Sequence, residues 1–206
     1  MHDGPPEGCM HKYKPDVAVY GGANVDTAAR CHARYRPGDS NPGTSSQSLG
    51  GVGRNIAENL ARLSVRTELV TVFGGDEWAG LLADGCRAVG VEVGRSLILP
   101  EQATSRYIYL LDADGTLAGA VSAMDIMDSF TPERLAERYG PGDEARVVVI
   151  DANLPARTIE AAARRWRGKP LVFDAVSAPK AVRAAGVGAL ISHPAPTPAA
   201  GARIHV

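Results

Sequence analysis

Two short segments carry residue types and spacings that can act on a hydroxylated ligand. The first is Gly21-Gly22-Ala23-Asn24-Val25-Asp26. In extended backbone alternate side chains share a face, so Asn24 and Asp26 would stand together. A carboxylate beside an amide can hold neighbouring hydroxyls of a polyol. The same spacing also suits a solvated turn. The second segment is Gly50-Gly51-Val52-Gly53, with Asn55 two residues on. Glycines let backbone approach a ligand closely, and a helix starting there would offer free N–H groups. Asn55, in the first helical turn, would reach the same pocket. Position 56 is Ile where a dinucleotide fingerprint needs its third glycine, and no Gly-Lys-Ser/Thr follows as in a Walker loop. Asp151 and Asp174 each end a strand-like run and are candidates to touch a ligand or a metal shell.

The elements that must position these residues alternate between strand and helix. Val17–Tyr20 is a short apolar run before a glycine turn, the pattern of a buried strand. Residues 39–48 are rich in Ser, Asn, Pro and Gly and read as a loop. Ile56, Leu60 and Leu63 recur at helical spacing, marking one face of a helix over residues 55–63. Leu69–Phe73 is a second strand. A helix from Glu77 to Val89 follows, with Asp76 as N-cap and Gly90 as the stopping glycine. Further on come a helix from Thr131 to Tyr139 with Pro132 at its first position, a strand at 146–150, a helix at 158–166 and a strand at 171–173. A short helix at 180–185 and a strand at 189–192 complete the series. This rhythm predicts a parallel sheet covered by helices. One departure stands out. Arg106–Leu111 and Leu117–Val121 flank an Asp114-Gly115 turn, a hairpin signal, so a small antiparallel flap is expected beside the main sheet.

Composition excludes several classes of partner. The chain has 206 residues, is 45% hydrophobic and carries a net charge of −1, so no field of one sign attracts nucleic acid or an anionic membrane. Aromatics are only 5%, too few for base-stacking platforms. Cys9, Cys31 and Cys86 are widely spaced and odd in number, which reads as free thiols in a reducing cytoplasm. No apolar run reaches membrane-span length. Residues 1–14 read as a flexible leader, 15–192 as the folded domain, and 193–206 as a Pro/Ala-rich divergent tail.

Taken together, the motifs resemble a known family. Gly50-Gly51-Val52-Gly53-Arg54-Asn55-Ile56-Ala57, then Ser64, then Gly74, is similar to the first signature of PfkB/ribokinase-type carbohydrate kinases, and the likeness extends from about Val17 to Ala185. It implies an α/β, ribokinase-like fold, with a central mostly parallel sheet, flanking helices and a small β lid that includes the hairpin. It also implies that Asp26 binds sugar hydroxyls with Asn24 in support, and that Gly51 and Asn55 contact the sugar. Thr104 and Tyr107, at the entrance to a lid strand, would join them; core packing beneath the lid is the other reading of Tyr107. Relatives dimerise through the lid, which implies a possible homodimer. Ser40-Asn41-Pro42-Gly43, residues 122–128, Asp151-Ala152-Asn153-Leu154-Pro155 and Phe173-Asp174-Ala175-Val176-Ser177 look closer to pseudouridine kinases than to ribokinase itself.

The resemblance implies ATP and Mg2+ as cofactors and phosphorylation of a sugar or nucleoside hydroxyl, with pseudouridine the preferred acceptor. That chemistry needs a positioned base, metal ligation and stabilisation of the phosphates. The family's Gly-Ala-Gly-Asp-like and Asn-x-x-Glu motifs are not found. Residues 175–206 hold no Asp or Glu, and Gly186-Val187-Gly188-Ala189 matches the first motif only in its glycines. No catalytic residue is assigned, and the fold is expected to be C-terminally incomplete and the chain inactive by itself. A non-catalytic nucleoside- or sugar-binding module and a non-functional fragment are the alternatives.

Overall fold

The computed structural model describes residues 14–138 and 145–182. The leader up to residue 13, the end of the helix expected to reach 185, the strand at 189–192 and the tail at 193–206 lie outside the described residues.

A five-stranded, wholly parallel sheet forms the base, built from β1 (Val17–Tyr20), β4 (Thr67–Val70), β6 (Val91–Glu92), β10 (Val147–Asp151) and β11 (Leu171–Asp174). Its order is β11-β10-β1-β4-β6, with β1 at the centre. Both faces are covered, which is why β1 reads as an unbroken apolar run rather than an alternation. Val17 and Val19 pack with Ala57 of α1 (Val52–Arg62) and with Leu82 and Cys86 of α2 (Glu77–Ala88). Ala18 and Tyr20 face the other layer, with Leu135 of α3 (Pro132–Glu137) and Ile159 and Ala162 of α4 (Ala156–Arg165). Tyr20 stacks on Trp166 at a ring-centroid distance of 4.8 Å. Ile150, Leu154 and Ile159 are completely enclosed, each worth about 1.5–3 kcal/mol of burial.

The helices α2 and α3 start where their capping residues predict, whereas α1 begins at Val52 and α4 at Ala156, ahead of the expected 55 and 158 and without a side-chain cap. Asp76 accepts from Ala79 N at 3.3 Å, and Thr131 accepts from Arg134 N ahead of Pro132. Gly90, at φ 83°, stops α2. The helical faces are less regular than their spacing suggests. Leu63 is 75% exposed because α1 ends before it, and Leu81 is 47% exposed on the outer side of α2.

A separate four-stranded sheet makes the lid, in the order β3-β2-β8-β9: β2 (Asn24–Cys31), β3 (Gly43–Gly50), β8 (Arg106–Leu111) and β9 (Leu117–Ala123). The Asp-Gly hairpin is present as β8–β9, with Gly115 at φ 91°. The loop expected through residue 48 is instead mostly strand. Gly43–Gly50 runs antiparallel to β2 over its whole length. Thr44 to Ser48 are all exposed, so this stretch of the edge strand has no buried face and no apolar alternation to announce it. The strand expected at Leu69–Phe73 is also two elements. The backbone leaves the main sheet at Thr71, whose N–H donates to Ser96 Oγ, and β5 (Val72–Gly74) then pairs with β7 (Leu97–Leu99). Between the lid and α3 lies a 3-10 turn, Asp125–Ser129. Its Ile126 and Met127 are core residues, while Asp125 and Asp128 are exposed.

Candidate functional site

The two glycine segments meet at the carboxyl end of β1, where open parallel sheets place their ligands. Asn24 and Asp26 begin β2, and Asn24 Nδ2 donates to Asp26 Oδ1 at 2.6 Å. Asn24 is buried and Asp26 half-buried. Gly50 lies against this carboxylate so closely that a Cβ there would press into it. Gly51 follows at φ 98°, and a Cβ on it would meet Ala23 Cα at 2.5 Å. The second segment is glycine both because the first crosses it in contact and because its backbone is left-handed.

Arg54 holds this turn from below. Its guanidinium donates to Leu49 O at 2.8 Å and to Gly50 O at 3.2 Å, and pairs with Glu58 at 2.6 Å. It also donates to Asn55 Oδ1 at 2.8 Å, so Asn55 stands exposed with its amide oxygen turned to Arg54. Nothing in the order of residues distinguishes Arg54 from a surface arginine. Its burial follows from the tertiary contact alone.

The N–H groups of Gly53, Arg54 and Asn55 at the start of α1 are taken up within the protein, where the sequence predicts free donors. Arg54 N donates to Gly22 O and Asn55 N to Gly51 O. Gly53 N donates to Asp151 Oδ2 at 2.7 Å. The same Oδ2 accepts from Gly22 N at 2.9 Å and Asn153 Nδ2 at 3.0 Å, and Oδ1 accepts from Asn153 N at 2.8 Å. Asp151, at the end of β10, is thus a completely buried acceptor that ties both glycine segments to the main sheet. Burial pushes its carboxyl above the ordinary carboxylate range, and the bonds from Gly22, Asn153 and Gly53 pull the other way. Every neighbour is an N–H donor, an arrangement that suits the ionised form. Lys180 Nζ extends the network by donating to Asn153 Oδ1 at 2.6 Å.

The lid adds a polar row above the turn. Ser48, Asp26, Tyr107 and Ser122 are register partners across β3, β2, β8 and β9, so their side chains share one face. Tyr107 is half-buried, with its ring 5.6 Å from that of Tyr109, and lies opposite Asp26 rather than in the core. Thr104 is buried and differently engaged. Its hydroxyl donates to Asp76 Oδ1 at 2.5 Å and accepts from Gly74 N at 3.0 Å, while its N–H donates to Asp76 Oδ2. Of the six residues expected at the site, the structure brings Asn24, Asp26, Gly51 and Tyr107 together, with Asn55 at the rim and Thr104 behind.

Comparison with known proteins identifies the setting. Residues 14–189 match the model of the pfkB family carbohydrate kinases. The chain belongs to this family. It is 36% identical over 170 residues to the pseudouridine kinase of Escherichia coli (strain K12), covering 82% of this chain and 54% of that kinase. Among solved structures, a carbohydrate kinase from Agrobacterium tumefaciens superposes with a TM-score of 0.76 at 32% identity, over 83% of this chain and 57% of its own. Arabidopsis thaliana ribokinase, solved with ribose and ATP, shares the fold with a TM-score of 0.66 at 20% identity, over 78% of this chain and 53% of its own. The chain spans about half the length of these pfkB-family relatives.

The family also implies ATP and a divalent metal, and the described residues do not fit them. Among the described residues no group of three or more His, Cys, Asp or Glu is placed to hold a metal ion. The Asp151 carboxylate is occupied by its four donors, and Asp174 Oδ1 accepts from Val176 N at 2.7 Å. The glycine-led helix start, the natural place for a phosphate, has its Gly53, Arg54 and Asn55 N–H groups bonded within the protein. No helix among the described residues is long and apolar enough to cross a membrane.

Proposed function

We propose that this chain carries the acceptor-binding site of a pfkB-family kinase that phosphorylates a ribosyl nucleoside, with pseudouridine as the acceptor. The observation that carries the reading is the Asn24–Asp26 pair, joined at 2.6 Å and set against the Gly50–Gly51 turn beneath the lid. Asp26 offers a carboxylate whose one hydrogen bond among the described residues comes from Asn24, leaving oxygen lone pairs for sugar hydroxyls. Gly51 brings backbone close to the same point, Tyr107 lies across from it, and Asn55 stands at the rim. The choice of pseudouridine rests on the 36% identity to the E. coli pseudouridine kinase. Phosphoryl transfer would need ATP and Mg2+, and the activity we assign to the described residues is nucleoside binding. We place it in the cytoplasm, in keeping with the unpaired thiols of Cys31 and Cys86. The outer face of the lid, where Ile108 and Val121 pair across β8 and β9 and are 39% and 61% exposed, supports a homodimer through that sheet.

Calorimetric titration with pseudouridine, with and without Mg-ATP, tests the reading. Saturable binding independent of ATP is expected, with Asp26→Asn weakening it at least tenfold, about 1.4 kcal/mol. A folded chain that ignores pseudouridine, or binds it equally well as Asp26→Asn, refutes the assignment.

A further inference from the structure

Ser105 immediately precedes β8 and is only 1% exposed, yet its hydroxyl has no hydrogen-bond partner among the described residues. Buried hydroxyls are nearly always paired, because leaving one unpaired destabilises the fold. Its surroundings locate it. Val25 and Arg106 are register partners, and Val25 N donates to Ser105 O at 3.0 Å, so Ser105 stands beside Asn24. In extended backbone it shares a face with Tyr107, two residues on, and that face carries Asp26. Thr104 alternates to the opposite side, where Asp76 and Gly74 take up its hydroxyl. The pair Thr104-Ser105 is therefore divided: one hydroxyl holds the lid to the body, and the other is buried in the row of the candidate site with its hydrogen bonds unmade.

We propose that Ser105 is a further substrate-contacting residue, whose hydroxyl bonds the bound nucleoside next to the groups held by Asn24 and Asp26. This rests on the nucleoside-site reading given above. A hydroxyl that has no partner among the described residues and gains one from the ligand adds to selectivity, since a ligand without the matching polar group leaves it unsatisfied. It also has a signature that a purely structural serine lacks. Its removal stabilises the empty protein while weakening the complex.

The test is Ser105→Ala in the full 206-residue chain, with Asp26→Asn as control, each titrated with pseudouridine and with D-ribose and melted without ligand. For Ser105→Ala the expected result is a ligand-free melting midpoint raised by ~2–4 °C and a pseudouridine Kd weakened about three- to tenfold. An equal loss for ribose places the contact on the sugar, and a loss confined to pseudouridine places it on the base; both support the proposal. Unchanged affinity in Ser105→Ala, while Asp26→Asn binds weakly, overturns the Ser105 contact and leaves the site reading intact. Failure of the folded parent to bind either ligand overturns both. A lowered melting midpoint shows a structural hydroxyl and overturns the proposal. Should Ser105→Ala not fold, Ser105→Cys, a similar shape with a weak donor, carries the same expectations for affinity.

Discussion

Asp151→Asn replaces the acceptor that joins the two glycine segments to β10, with almost no change of shape. Oδ2 serves three donors, from Gly22, Gly53 and Asn153 Nδ2, and Oδ1 serves Asn153 N. The asparagine oxygen can take the place of Oδ2. Its NH2 then faces the Asn153 N–H, donor against donor. Three charge-assisted bonds become neutral ones, a loss of about 1 kcal/mol each, and one buried N–H is left unpaired at about 1–3 kcal/mol. Relief from burying a charge returns part of this. The net destabilisation is about 2–4 kcal/mol, a large share of the ~5–15 kcal/mol that holds a domain together. Urea denaturation followed by far-UV circular dichroism should show the midpoint falling by about 1–2 M at an unchanged slope. Asp151→Ala, which strands all four donors, should lose more. If Asp151→Asn denatures within about 0.5 kcal/mol of the parent, the carboxylate does not hold these segments and the reasoning fails.

Three further outcomes are expected. Gly51→Ala forces a Cβ against Ala23 Cα at a backbone φ of 98°, so it should destabilise the chain by about 1–3 kcal/mol and remove measurable pseudouridine binding, as read by urea denaturation and calorimetry. The Asp76 carboxyl is raised by burial but held lower overall by bonds from Thr104 and Ala79. Its stabilising contribution is therefore present above the ordinary carboxylate pKa of ~4 and lost as pH falls below it, so thermal melts of Asp76→Asn should show a weaker dependence across that acid limb than the parent. Burial pushes the Cys86 thiol up to about 11, so at pH ~8 a thiol reagent should label Cys86 only as fast as the protein opens, and labelling of the native fold faster than unfolding would contradict its enclosure.

Much of the architecture was legible because it rests on local signals. The run at Val17–Tyr20, the caps at Asp76 and Thr131, and the Asp114-Gly115 turn each appear where a single-chain pattern requires them. What escaped depends on long-range pairing. Gly43–Gly50 is a strand because β2 lies beside it, and its exposed serines carry no trace of that. At the site, Asn24, Asp26 and Gly51 could be picked out because glycine and alternation are local. The division of labour between Thr104 and Ser105 could not, since both are small hydroxyl residues and only the register of β8 against β2 decides which one faces Asn24. Asp151 showed itself as an acidic residue at a strand end, the mark of a ligand-facing group. Only the convergence of N–H groups from positions 22, 53 and 153 shows that it faces inward.

The Asp151 bridge also sets an order of assembly. It joins positions separated by 129 residues to Gly22 and by 98 to Gly53. β1, likewise, takes one sheet neighbour from β4 and the other from β10, far along the chain. Closing such loops costs entropy before any contact repays it, so pairings of this separation form late. On a ribosome adding ~5–20 residues per second, roughly 5–25 s pass between synthesis of the glycine segments and arrival of the residue that holds them. The lid strands β2, β3, β8 and β9 are all made before β10, so they can pair while the turn beneath them is still unformed. The glycine turn is then set only after the lid strands above it, and its integrity reports that β10 has closed onto β1.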